Sequence, residues 1–245
     1  MYNFFSENDK INGRYEITGN DFNHVKNVLR MKVGDEFLVS FNGKSDLCAI
    51  ESFSQSSVTV AVVRENYNDT NLPINLVLLQ GLPKSDKMEL IIQKAVELGA
   101  DRIVPVQTAR SVVKLLGKKD NKTSRWQAIA ESGAKQSKRN SIPKVDEVLS
   151  FKQALDLAKT FDLFLVPYEN HDGMTATKNA LSEIKKGMTV GILIGPEGGF
   201  EQSEIDLCES INAKTISLGK RILRAETASI TALSMVMLHA EMNLD

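Results

Sequence analysis

The stretch IGPEGGF, residues 194–200, directly follows the apolar run TVGIL at residues 189–193. A short apolar run of this kind predicts a buried strand. The three glycines in the stretch let main-chain N–H and C=O groups approach a ligand without side chains in the way. The acid Glu197 at its centre is unsuited to cradling phosphate and favours a cationic or neutral ligand. A tight turn between the strand and a helix over residues 201–211 explains the same pattern without a ligand.

Outward from this stretch, predicted strands and helices alternate between residue 74 and the end of the chain. The strands are predicted at residues 74–80, 103–106, 162–166, 189–194 and 215–218. The helices are predicted at residues 86–98, 125–136, 151–159, 201–211 and 226–242. This alternation predicts an α/β fold with a parallel sheet and helices on both faces. Ligands bind such sheets outside the carboxyl ends of the strands, so the loops after Val166, Ile194 and Leu218 form the predicted site.

The N-terminal part of the chain has a different pattern. Short, partly alternating segments predict strands at Arg14–Thr18, Glu36–Phe41, 47–53 and 57–63. One helix is predicted at residues 21–29, with Asp21 placed to cap it. These elements predict a small β-barrel. Residues 65–73 are polar and unpatterned and form the predicted linker, so we expect two domains, 1–70 and 71–245.

The composition limits the classes of protein to consider. Hydrophobic residues make up 42% and charged residues 25%, as in ordinary soluble domains. No apolar run is long enough to span a membrane, and the start of the chain lacks the pattern of a signal peptide. Cys48 and Cys208 have no CxxC spacing, the three histidines have no metal-ligand spacing, and neither GxGxxG nor a P-loop motif occurs. We therefore expect a cytoplasmic protein without disulfide, metal or membrane partner.

Basic residues are concentrated in the window 108–144. Ten lysines and arginines stand there against two acids, so the window carries +8 while the whole chain carries −1. Such a local excess is typical of an electrostatic footprint on nucleic acid, and a solvated charged loop and helix give the same count.

Four separated blocks resemble one family of RNA methyltransferases. They are IGPEGGF with SLGKRILRAETA from Ser217, LPKSDKMELIIQKAVELG at 82–99, RWQAIAESGAKQSKR at 125–139, and HVKNVLRMKVGD at 24–35. The first looks like the signature of the SPOUT methyltransferases, and the set resembles the bacterial family that methylates N3 of a uridine in 16S ribosomal RNA (RsmE). The resemblance implies an S-adenosylmethionine site at a trefoil knot in the C-terminal domain, and a PUA-like RNA-binding barrel at the N-terminus.

The resemblance also implies which residues bind the cofactor. By family analogy they are Val166, Pro167, Leu193, Ile194, Gly195, Pro196, Glu197, Gly198, Gly199, Ser217, Leu218, Gly219, Ile222 and Leu223. Two interpretations of Glu197 stay open, because its carboxylate can lie near the sulfonium charge or simply cap the turn.

The implied methyl transfer requires that one proton first leave the substrate. Uracil N3 must lose its proton before it can accept a methyl group, so a base is required, or cations that stabilise the imide anion. Arg221 and Arg224 would supply cations beside the cofactor loop, and Glu226 is either the base or an acid that starts the last helix. The candidate RNA contacts are Arg30, Lys84, Arg110, Lys135, Lys138 and Arg139. For each of the four arginines and lysines outside the pair Lys135 and Lys138, a solvated surface charge is the commoner fate when it is taken alone.

Two other functions stay open. The chain could be a SPOUT relative that methylates a ribose 2′-oxygen or a tRNA base, or an RNA-binding assembly factor without turnover. The N-terminal barrel and the blocks at 24–35 and 82–99 favour methylation of 16S ribosomal RNA over the first alternative. The intact glycines and both arginines argue against the second.

The last helix predicts a homodimer. Its apolar residues over 228–240 lie nearly all round a helical wheel, and a helix of this kind must be covered on every side. SPOUT enzymes usually pair through helices of the knot region, so the resemblance points the same way. The alternative is a helix buried wholly within its own chain.

Overall fold

The computed structural model describes residues 1–84, 86–114, 122–168 and 173–244. The chain forms two compact units, Met1–Asn71 with Ala134–Ile142 and Leu72–Gly133 with Pro143–Asp245. The segment Ala134–Ile142 therefore counts with the N-terminal unit, although the sequence pattern places it within the C-terminal domain.

The N-terminal unit contains a five-stranded sheet with the order β1-β3-β4-β5-β2. Its strands are β1 (Asn3–Phe5), β2 (Arg14–Thr18), β3 (Glu36–Phe41), β4 (Lys44–Phe53) and β5 (Ser57–Asn68). β1 pairs parallel with β3, and the other pairs are antiparallel. Phe4, Phe37 and Val58 lie in its buried core. The periodicity misses the three-residue β1, and β5 continues to Asn68, through the first half of the predicted linker.

The predicted helix at residues 21–29 is two elements. α1 (Gly19–Asn23) is followed by a π-helical turn, His24–Val28. The predicted cap at Asp21 is wrong, because the helix begins two residues earlier and its N-cap residue is Thr18. The Asp21 carboxylate instead accepts hydrogen bonds from Lys135 Nζ at 2.8 and 3.1 Å. An ion pair made within the N-terminal unit therefore takes the place of a helix cap.

The C-terminal unit contains a seven-stranded sheet with the order β12-β10-β11-β6-β7-β8, and β9 also pairs with β7. Its strands are β6 (Asn75–Gly81), β7 (Arg102–Gln107), β8 (Lys144–Val145), β9 (Leu149–Ser150), β10 (Leu163–Pro167), β11 (Thr189–Ile194) and β12 (Lys214–Ile216). Every pair in this sheet is parallel. The helices that accompany it are α2 (Lys87–Glu97), α3 (Lys122–Ser137), α4 (Phe151–Ala158), α5 (Gly173–Ser182), α6 (Gln202–Ser210) and α7 (Ala225–Leu244).

The predicted α/β fold, a parallel sheet flanked by helices together with a separate N-terminal sheet, is confirmed. The central strands β6, β10 and β11 are buried along almost their whole length, as their continuous apolar runs require. The sequence pattern misses β8 and β9, which are two residues each, and α5, which buries only Thr177 and Ala180. The trefoil knot stays a prediction.

Two absences hold for the part of the chain that the structure describes. No helix there is both long and apolar enough to cross a membrane. Within the same residues, no group of three or more His, Cys, Asp and Glu side chains is arranged to hold a metal ion. Cys48 and Cys208 are both buried free thiols.

Candidate functional site

The three loops singled out in the sequence follow strands that lie close together in the sheet. β10 lies between β12 and β11, and β6 follows β11 on the other side. Because these strands are parallel, their carboxyl ends meet at one edge of the sheet, where Pro167 pairs with Ile216 and Ile194 pairs with Gln80. The structure therefore places the start of all three predicted cofactor loops at one edge, which we call the strand-end site.

The turn after β11 is built on close main-chain contacts. The N–H of Gly199 donates to the carbonyl of Pro196 at 2.9 Å, and Gly199 has a φ of +66°. A Cβ on Gly195 would lie 3.3 Å from Cα and C of Gly199, so a larger residue at 195 would push the two backbones slightly apart. A Cβ on Gly199 would meet no atom within 4 Å. The space beside Gly199 is open, as a ligand cradle lined by main chain requires.

The Glu197 carboxylate is anchored by the segment around the start of α2. Its oxygens accept the N–H of Lys84 at 3.1 and 3.2 Å, and Lys87 Nζ lies 2.9 Å from Oε1. Burial raises the pKa of Glu197, but the hydrogen bonds from Lys87 and from main-chain N–H groups outweigh it, so the pKa lies below its ordinary value. The bond to Glu197 in turn raises the pKa of Lys87. An ionised pair therefore ties the GPEGG turn to α2.

The loop after β7 holds the same turn from a second direction. Arg110 Nη1 donates to the carbonyl of Gly198 at 3.0 Å, and the N–H of Ala109 donates to Glu204 Oε1 at 2.9 Å. Glu204, on the first turn of α6, is 6% exposed, and its other oxygen accepts the N–H of Glu201 at 3.0 Å. Arg110, predicted as an RNA contact, thus lies at the strand-end site and binds its main chain.

The predicted catalytic residues occupy the end of the third loop and the start of α7. Arg221 and Arg224 are exposed, and neither guanidinium makes a hydrogen bond or ion pair with any residue in the described ranges. Glu226 is 16% exposed at its side chain, and its Oε2 lies 3.4 Å from Lys87 Nζ. That oxygen is buried and has no hydrogen-bond partner within the described part of the chain. The Ile222 side chain, predicted to bind cofactor, is 92% exposed.

Lys87 is a residue that the sequence reasoning missed. Its ammonium lies between Glu197, on the loop after β11, and Glu226, on the first turn of α7. The only local signal was its place in the block at 82–99, which resembles the RNA methyltransferase family. A lysine at the start of a helix is otherwise a common surface residue.

The predicted RNA contacts divide between the two units. Lys84 and Arg110 belong to the C-terminal unit, and Arg30, Lys135, Lys138 and Arg139 belong to the N-terminal unit. Arg139 is 3% exposed, so little of its side chain is accessible in this structure, and its contact with RNA stays a prediction. Lys135 pairs with Asp21, whereas Arg30 and Lys138 are exposed, both with a left-handed backbone at φ of +53° and +59°. Lys118, Lys119 and Asp120 of the basic window lie outside the described residues.

Comparisons with known proteins cover nearly the whole chain. The model of an RNA methyltransferase domain matches residues 70–237, and the model of an RNA methyltransferase PUA domain matches residues 17–63. Ribosomal RNA small subunit methyltransferase E of Bacillus subtilis (strain 168) is 40% identical, over 93% of this chain and 91% of that protein. The protein of the same name from Mesomycoplasma hyopneumoniae (strain 232) is 34% identical, over 96% of this chain and 98% of that protein.

A solved structure adds a ligand to the comparison. The crystal structure of a ribosomal RNA small subunit methyltransferase E from Neisseria gonorrhoeae bound to S-adenosyl methionine superposes with a TM-score of 0.82. It is 28% identical and covers 97% of each chain.

Proposed function

Because the chain belongs to the ribosomal RNA small subunit methyltransferase E family of RNA methyltransferases, we propose that it methylates N3 of one uridine in 16S ribosomal RNA, with S-adenosylmethionine as the methyl donor. One observation carries the proposal. A turn of main chain with open space beside Gly199 lies at the carboxyl edge of the sheet. The loop that leaves β12 at the same edge presents Arg221 and Arg224, which are exposed and make no hydrogen bond or ion pair with the described residues. The reaction belongs in the cytoplasm, where ribosomes are assembled.

The strand-end site suits the proposed cofactor. Main-chain groups of residues 195–199 and 217–219 would hold its adenosine part, because glycines remove the side chains that would otherwise fill the cradle. Pro167 would lie at the apolar wall, and Val166 and Leu193, which are 0% and 1% exposed in the apolar core, would support it from beneath. S-adenosylmethionine, when bound, supplies an activated methyl group, so the protein contributes mainly by holding its substrates in line.

Side chains are needed for the loss of the proton from uracil N3. We assign Arg221 and Arg224 to stabilising the imide anion, because both are exposed and unpaired within the described residues. Glu226 is assigned a different role, since Lys87 already lies 3.4 Å from its carboxylate. The contact ties the start of α7 to the residue that anchors the GPEGG turn.

Nucleoside mapping tests the proposed function directly. In a strain that lacks the gene, mass spectrometry of 16S ribosomal RNA is expected to show unmodified uridine where the wild type carries 3-methyluridine, and the wild-type gene should restore the methyl group. Loss of a ribose 2′-O-methyl group or of a tRNA modification would contradict the N3 proposal. No change in any RNA would favour the assembly factor without turnover.

RNA binding is expected to depend steeply on salt, because each phosphate contact releases counterions. The R30E and K138E variants reverse exposed charges of the N-terminal unit. Each variant should reduce the slope of log affinity against log salt by about 1, without changing cofactor affinity. K186E reverses an exposed lysine just before β11, away from the strand-end site, and serves as the matched control. A slope that is the same in all four proteins would show that these residues are only solvated charges.

We also propose a homodimer formed through α7. One side of this helix packs against α2 and β11, and Leu238 and Met242 on it stay 47% and 73% exposed. An apolar surface of this kind favours a second copy of the chain. Light scattering at micromolar concentration should therefore give about twice the chain mass of 27.1 kDa. A mass near 27.1 kDa itself would contradict the dimer.

A further inference from the structure

We infer that Thr177 on α5 is a positioning residue, which fixes the main chain of the loop after β12 and thereby sets the affinity for the cofactor. The inference rests on the proposed function, because it assigns that loop to S-adenosylmethionine. Thr177 is 1% exposed and is not part of the resemblance to the RNA methyltransferase blocks.

The main chain at the end of β12 has no further strand to bond where this loop begins, within the part of the chain that the structure describes. Among the described strands, β12 is an edge strand that pairs with β10 alone. Where it ends, the N–H of Tyr168 donates to the carbonyl of Ile216 at 3.0 Å. The next residue, Ser217, has left the strand, so its N–H and C=O need partners from elsewhere.

A single hydroxyl supplies both partners. Thr177 Oγ1 donates to the Ser217 carbonyl at 2.8 Å and accepts the Ser217 N–H at 2.9 Å. A hydroxyl can do both because it carries one donor and two acceptor lone pairs. The Thr177 hydroxyl therefore makes the hydrogen bonds that a neighbouring strand would otherwise make. It holds the N–H and the C=O of Ser217 in one orientation.

The orientation of Ser217 also affects Gly219, the glycine of this loop. Ser217 Oγ accepts the N–H of Gly219 at 3.2 Å, and Gly219 has a φ of +105°. Ser217 and Gly219 bracket Leu218, and all three residues belong to the predicted cofactor set. If the Ser217 backbone rotates, the main-chain groups of this turn rotate with it. Thr177 thus acts on the cofactor through Ser217 without touching it.

Three variants separate this role from general stabilisation. T177V keeps the shape of the side chain and removes the hydroxyl, T177S keeps the hydroxyl, and T175V makes the same change at an exposed position of α5. By calorimetry on the full-length chain, T177V should bind S-adenosylmethionine about tenfold more weakly, as expected for one lost hydrogen-bonding group. T177S should stay close to wild type, and T175V should equal it. In turnover, T177V should raise KM for the cofactor and leave KM for RNA unchanged.

The possible results distinguish a role of Thr177 in cofactor binding from a role in stability alone, and from failure of the proposed function. Wild-type affinity in T177V would overturn the inference, even if its Tm falls, because Thr177 would then only stabilise the fold. Failure of the wild-type protein to bind S-adenosylmethionine would overturn the proposed function and this inference with it. If T177V does not fold, T177A decides, since it also removes the hydroxyl that bonds the Ser217 N–H and C=O, and wild-type cofactor affinity in T177A would overturn the inference.

Discussion

Valine at position 199 is expected to weaken S-adenosylmethionine binding by on the order of a hundredfold, while the chain stays folded. Gly199 has a φ of +66°, a region that β-branched residues avoid. Valine would force the turn into another conformation and would place a side chain in the open space beside the main chain. Calorimetry on the purified variant measures the loss.

A second glycine provides the control for this variant. Gly187 also has a left-handed backbone, with a φ of +82°, and a Cβ there meets no atom within 4 Å. It lies just before β11, at the opposite end of the strand from the GPEGG turn. G187V should therefore lower stability by a similar amount and keep the wild-type cofactor affinity. Equal affinity in G199V and G187V would show that the GPEGG turn is only a turn.

Removing the charge of Arg224 is expected to lower kcat by about 10²- to 10³-fold, as for the loss of one preorganised group that stabilises a developing anion. R224M should leave the affinity for S-adenosylmethionine unchanged, because the assigned role of Arg224 is to face the nucleobase. R221M is expected to act in the same direction. K220M removes an exposed charge from the same loop and should have little effect.

The pH dependence of kcat in R224M distinguishes anion stabilisation by Arg224 from a purely structural role, because a structural role would not change it. At higher pH a larger fraction of uracil N3 is deprotonated without help, so the deficit of R224M should shrink as pH rises. A deficit that stays constant with pH, or a rise in KM for the cofactor alone, would contradict the assignment of Arg224 to anion stabilisation.

Much of the fold follows from local pattern. Strands such as β6, β10 and β11 were predicted within one or two residues, because a strand buried on both faces must be a continuous apolar run. β8 and β9 were missed because two residues carry no periodicity. α5 was missed because it buries one threonine and one alanine rather than an apolar stripe.

The partners of charged and polar side chains were the least predictable feature. Asp21 was expected to cap a helix and pairs with Lys135, which lies 114 residues away along the chain. The sequence predicts Arg139 as a contact to RNA, and its side chain is buried in the structure. A charged side chain has the same local sequence signal in both settings. Its burial depends on which distant groups the fold brings within hydrogen-bond reach.

By itself the sequence determined the alternation of strands and helices, the three loops at the carboxyl edge of the sheet and the family resemblance, because each of these is written in local composition and spacing. Only the tertiary structure decided which side chains fix these loops. Lys87 pairs with both Glu197 and Glu226. Arg110 donates a hydrogen bond to the Gly198 carbonyl, and Thr177 donates one to the Ser217 carbonyl. Lys87 lies in the block at 82–99 and Arg110 in the basic window, but neither pattern predicts the contact that the side chain makes, and no pattern marks Thr177. Hydrogen bonds need groups placed to within tenths of an ångström, and packing of elements far apart in sequence sets such distances.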